Sequence, residues 1–210
     1  MTTDPSTHLF WITSRAAGIV ALVVASVAVS VGLLMSTRMA GKRLRGPDLR
    51  VLHEVLSLST MVAIAVHGLS LIGDQYLRPS IIDVTVPFVG AYKTMWTSLG
   101  IIAGWGMIAL GLSYYLRGRI GPQRWRTLHR FTALAWLLGI AHSLGEGTDA
   151  GQAWFLAMIG IVVVPALALL AYRLGRRPSS PGARRVQRPA NTPGGHRRTA
   201  GEPFGEALHS

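Results

Sequence analysis

The chain has 210 residues, of which 50% are apolar, with a mean hydropathy of +0.37 and no cysteine. The missing cysteine excludes disulfides, thiolate-held iron–sulfur clusters and covalent c-type haem attachment. A formal net charge of +12 would suit nucleic acid, but the cations gather in short stretches between long apolar windows, which argues for a membrane protein and against a nucleic-acid partner.

Five windows are apolar enough to cross a hydrocarbon layer of about 30 Å, which takes about 20 residues of helix. They run roughly over residues 11–35, 51–72, 95–116, 127–145 and 152–174. The first is preceded by little positive charge and is too long for the apolar region of a signal peptide, so it is expected to stay in the mature protein, which then starts near Met1. Between the first and second windows lie Arg38, Lys42, Arg43, Arg45 and Arg50 against one acid, Asp48. Residues 73–94, between the second and third, carry Asp74 and Asp83 with only Arg78 and Lys93, and their Pro79 and Pro87 leave room for a short interfacial segment. After the third window come Arg117, Arg119, Arg124, Arg126 and Arg130 with no acid, and after the fourth come Glu146 and Asp149. Basic short loops stay in the cytoplasm, which puts the N-terminus outside and the C-terminus inside. From Arg176 the composition turns to Arg, Pro, Gly and Ser, too poor in apolar residues to fold alone.

The expected architecture is therefore an all-α integral membrane helical bundle of five transmembrane helices, multi-pass in the cell membrane, bacterial cytoplasmic by preference. Residues 1–9 form a short external N-terminus, 10–175 the folded domain, and 176–210 a disordered basic tail that meets anionic lipid on the cytoplasmic side.

Four histidines interrupt the second and fourth windows: His53 and His67, 14 residues apart, and His129 and His142, 13 apart. Ionisable groups inside a membrane span are costly and face the bundle interior, commonly for a functional reason. The second and fourth helices run in the same direction, so His53 matches His129 in depth and His67 matches His142. On an ideal helix 14 residues return to within about 40° of the starting face, whereas 13 end about 140° away. For His129 and His142 to share a face, the fourth helix must be overwound, kinked or strongly tilted, and Gly139 is a candidate for the irregularity. Two imidazoles facing each other at each depth suit a b-type haem with one histidine on each side of the iron. A structural zinc site wants four ligands in a compact tetrahedron, and the two levels are too far apart to pool theirs. A proton relay would mix in carboxylates, and the spans hold only Glu54.

The run Leu52–His67, the motif Gly-Pro-Gln-Arg-Trp-Arg-Thr-Leu-His from Gly121 to His129, and the continuation through His142 to Gly147–Asp149 resemble the ferric reductase-like transmembrane domain. That superfamily includes ferric reductases, NADPH oxidases and the haem-binding membrane subunit of the periplasmic methionine sulfoxide reductase system. The resemblance covers residues 10–175 and implies two non-covalent b-type haems, the inner held by His53 and His129 and the outer by His67 and His142. It also implies that Arg15 lies beside the outer haem, where it would pair with a propionate or shape an acceptor site; Arg38, Arg126 and Arg130 are the corresponding inner candidates. The implied activity is transmembrane electron transfer to an external acceptor such as ferric iron, oxygen or a periplasmic redox protein. No flavin or NADPH domain follows the last window, so FAD or FMN is expected only on a separate cytoplasmic flavoprotein reductase, with the quinone pool as the other donor. The chain is then a haem-b oxidoreductase component, or alternatively a non-catalytic haem-binding anchor and electron conduit for a partner reductase. One span fewer than the usual six is expected.

Overall fold

The computed structural model describes residues 8–37 and 46–175. Residues 1–7, the 38–45 segment with Arg38, and the 176–210 tail lie outside the described residues. Among the described residues eight helices follow in order: α1 Leu9–Thr37, α2 Gly46–Ile72, α3 Ile81–Thr85, α4 Thr94–Leu112, α5 Arg117–Ile120, α6 Pro122–His129, α7 Thr132–Glu146 and α8 Ala153–Gly175. Among the described residues there is no strand.

Four of these, α1, α2, α4 and α8, are long and apolar enough to span a membrane. The fourth window, also expected to span, is broken instead into the end of α6 and the 15-residue α7, the latter about 22 Å long and short of a full crossing. The break lies at Arg130–Phe131, where backbone bonds close on the third residue back: Arg130 N–H to Thr127 O at 3.3 Å, Phe131 N–H to Leu128 O at 3.0 Å and Ala133 N–H to Arg130 O at 3.2 Å.

Many of the buried residues are small, and many large apolar side chains face outward. Ser14, Ala25, Ser26, Ala28, Ser98, Ala103 and Ala166 are buried, while Val51, Val62, Leu69 and Ile161 are each more than 60% exposed. This is the arrangement expected in lipid, where close backbone approach and not apolar burial drives helix association. The largest buried side chain, Trp136, joins α7 to α1 and α8 beside Leu22, Phe155 and Val163, and its indole N–H donates to Ser26 Oγ at 3.0 Å.

The bundle is built of two tightly packed helix pairs, α1 with α2 and α4 with α7, and α8 lies along α1. Helices α2 and α7 have no substantial packing on one another, which leaves a cleft between the pairs. The short α3 falls in the expected Pro79–Pro87 connection and is capped by reciprocal bonds between Ser80 and Asp83.

Candidate functional site

Both histidines of α2 lean their rings on α1. His53 Nδ1 lies 2.9 Å from the Ala28 carbonyl, and His67 Nδ1 lies 2.8 Å from the Ser14 carbonyl. A carbonyl can only accept, so each Nδ1 carries the proton and each Nε2 keeps its lone pair. Ser14 Oγ adds a bond to the His67 carbonyl at 2.9 Å. The acceptors Ala28 and Ser14 are themselves 14 residues apart on an antiparallel helix, so one register serves both levels. Four residues beyond each acceptor α1 has a glycine: a Cβ at Gly32 would stand 3.1 Å from His53 Cε1, and one at Gly18 would stand 3.0 Å from His67 Nδ1. Only a helix surface without a side chain lets the imidazole come close enough to reach the carbonyl one turn back.

The same device recurs between α4 and α7. His142 Nδ1 lies 2.8 Å from the Trp96 carbonyl, and Gly100, four residues on, would bring a Cβ within 2.6 Å of the His142 ring. His129 is the exception. The Leu110 carbonyl, 14 residues along α4 from that of Trp96, faces the His129 ring, but no bond of full hydrogen-bond geometry reaches Nδ1. Its ring is stacked on Trp125 instead, with centroids 5.0 Å apart and planes 24° from parallel.

The tight turn at residues 127–133 is what lets His129 and His142 face the same way. A turn closed by bonds three residues back rotates the chain by about 120° per residue in place of 100°, overwinding it towards the face that regular geometry misses. Gly139, the expected site of the irregularity, lies inside α7 instead, where its nearest contact would be Ala103 Cβ at 3.9 Å. Regular bonding through α7 leaves nothing for Gly139 to relieve.

Across the cleft the rings meet in the pairs that depth predicts. His53 and His129 have centroids 6.1 Å apart with planes at 88°, and His67 and His142 have centroids 6.2 Å apart at 70°. A metal between two imidazoles needs a bond of about 2 Å on each side, which with the two ring radii comes to about 6 Å between centroids. The proton on Nδ1 of His53, His67 and His142 leaves Nε2 as the free donor, as a ligating histidine requires. A small, largely apolar cavity between the helix pairs is lined by His53, His129, Ser57, Thr60, Met61 and Met107. Among the described residues no three or more of His, Cys, Asp and Glu converge, so the donor set is two isolated bis-imidazole pairs, about 21 Å apart along α2. A planar group with iron at its centre fits this set.

Arg15, one residue from the Ser14 carbonyl that holds His67, engages both oxygens of Asp149, with Nε to Oδ2 at 2.6 Å. Its guanidinium also lies 5.0 Å from the centroid of Trp11. The charge inside the first window is thus met by a carboxylate of the same chain. Arg126 and Arg130 are exposed. Sequence reasoning missed the glycines at 18, 32 and 100 and the stacking of Trp125 on His129. A legible signal existed for two of them, because Gly18 and Gly32 repeat the 14-residue spacing of His53 and His67.

The family model described as the ferric reductase like transmembrane component matches residues 17–140. The matched segment contains His53, His67 and His129 and stops just short of His142. No curated protein and no solved structure matches the chain. With more than half of its length matched, the chain belongs to the ferric reductase-like transmembrane family.

Proposed function

We propose that this protein carries electrons across the cell membrane through two stacked b-type haems, His53 and His129 holding the inner and His67 and His142 the outer. The observation that carries this reading is the pair of centroid separations, 6.1 and 6.2 Å, at two depths of one cleft. Bound there, the haems would supply reversible one-electron chemistry and divide one bilayer crossing into shorter steps. The residues of the chain supply position and environment. The carbonyls of Ala28, Ser14 and Trp96 orient three imidazoles and leave each Nε2 free as the donor. Met61, Met107 and Thr60 line the cavity at the inner level. The arginines Arg50, Arg117, Arg119, Arg124 and Arg126, exposed at the His53–His129 end, support a cytoplasmic inner level. Asp74, Asp83 and Asp149, near the His67–His142 end, support an external outer one. The donor in this reading is a cytoplasmic flavoprotein or quinol, and the acceptor is external: ferric iron, oxygen or a redox protein.

The test is a dithionite-reduced minus oxidised spectrum of the purified protein with a haem-to-protein ratio. A reversible b-type change with two haems per chain is expected. A purified, folded chain without haem refutes the reading. Stopped-flow reduction by a flavin reductase or by quinol, in proteoliposomes with a ferric chelate on the opposite side, then identifies the donor.

A further inference from the structure

Three of the four histidines are oriented in one way: a backbone carbonyl takes the Nδ1 proton, and a glycine one turn on lets the ring in. His129 has neither. Its Nδ1 is buried without a hydrogen bond, and the partner of its ring is Trp125, one helical turn earlier on α6, stacked nearly parallel at 5.0 Å.

Trp125 is itself held. Tyr114 meets its ring edge-on at 5.7 Å, and the Arg117 guanidinium sits 3.9 Å from the Tyr114 centroid. The sandwich of Arg117, Tyr114, Trp125 and His129 closes the arginine-rich end of the inner level. His129 is the last residue of α6, next to the tight turn at Arg130–Phe131. We propose that Trp125 is the positioning residue of the inner pair: its indole face fixes the His129 ring plane, the task that backbone carbonyls perform for His53, His67 and His142. This rests on the haem reading above.

The stack is the close contact that orients this ring, so His129 is the least firmly held of the four ligands and the one most readily displaced. An aromatic contact of this kind changes an equilibrium constant by about three- to tenfold beyond its buried area. Loosening His129 therefore opens one face of the inner iron and leaves the outer pair untouched.

The experiment compares Trp125→Phe and Trp125→Ala with the unaltered protein. The readouts are the haem-to-protein ratio and the fraction of reduced haem that binds carbon monoxide, a ligand that enters only where an axial position is free. Trp125→Phe, which keeps a stacking face, is expected to hold two haems and bind little carbon monoxide. Trp125→Ala is expected to bind carbon monoxide at up to half its haem, or to retain inner haem about three- to tenfold more weakly, with the outer haem spectrum unchanged as the internal control. The proposal is overturned if Trp125→Ala keeps two haems closed to carbon monoxide. It is overturned equally if Trp125→Ala loses both haems together, or if Trp125→Phe behaves as Trp125→Ala does. An unaltered chain without haem would refute the haem reading itself, a separate outcome.

Discussion

Replacing Gly100 with alanine puts a methyl group 2.6 Å from His142 Nδ1 and Cε1, where carbon contacts prefer about 3.5–4.0 Å. The ring must retreat by about 1 Å. As a free side chain His142 can do so cheaply, losing its bond to the Trp96 carbonyl at about 1 kcal/mol. That loss is offset by the gain of about 1 kcal/mol from alanine over glycine within a helix. Fold stability should therefore change by less than about 1 kcal/mol. Ligation could not yield in the same way, because a retreat towards His67 would shorten the 6.2 Å separation that two metal–nitrogen bonds would require. Disturbing the group that orients a ligand weakens binding by about 10- to 100-fold, so Gly100→Ala should fold, keep its inner haem and lose most of the outer one. Gly68→Ala is the control: nothing stands within 4 Å of its Cβ, and it should keep both haems. The assay is haem-to-protein ratio beside thermal unfolding of the same preparations. If Gly100→Ala loads haem as Gly68→Ala does, the glycine cradle has no part in positioning His142.

Substituting His67 with alanine should halve the haem content and leave the spectrum of the remaining haem intact, and His53→Ala should do the same for the other level; loss of both haems from a folded protein would refute two separate sites. Arg15→Gln leaves the buried Asp149 carboxylate without its partner and should cost about 1–2 kcal/mol, discounted because the arginine is partly exposed. Adding Asp149→Asn should recover most of that loss in a double-mutant unfolding cycle. At α3, hydrogen bonds from the Ser80 N–H and hydroxyl hold the Asp83 carboxyl below the usual carboxylate range. A depressed folded value means that the capping box stabilises α3 at neutral pH and is lost as pH falls through that lowered value. The Ser80 amide resonance followed in acid should report the loss, and an Asp83→Asn chain should not show it.

Much of the architecture was legible in one dimension. Span length follows from the thickness of the hydrocarbon layer, so the windows at α1, α2, α4 and α8 could be read from apolar runs alone. Likewise, His53 and His67 share a face because 14 residues nearly complete four helical turns. The depth match of the two pairs needed only the direction of each helix. The continuity of the fourth apolar window misled, since composition does not reveal the turn at Arg130–Phe131 that divides it.

What the sequence by itself determined was the class of molecule, the four histidines and their two depths, since these depend on local composition and fixed helical rise. Only the tertiary structure decided which carbonyls face the Nδ1 atoms of His53, His67 and His142, that glycines at 18, 32 and 100 admit the rings, and that the His129 ring is stacked on Trp125. It also decided where His129 and His142 come onto one face. Contacts of this kind depend on the register between helices and on the hydrogen bonds at 127–133, neither of which a residue pattern along one chain encodes by itself.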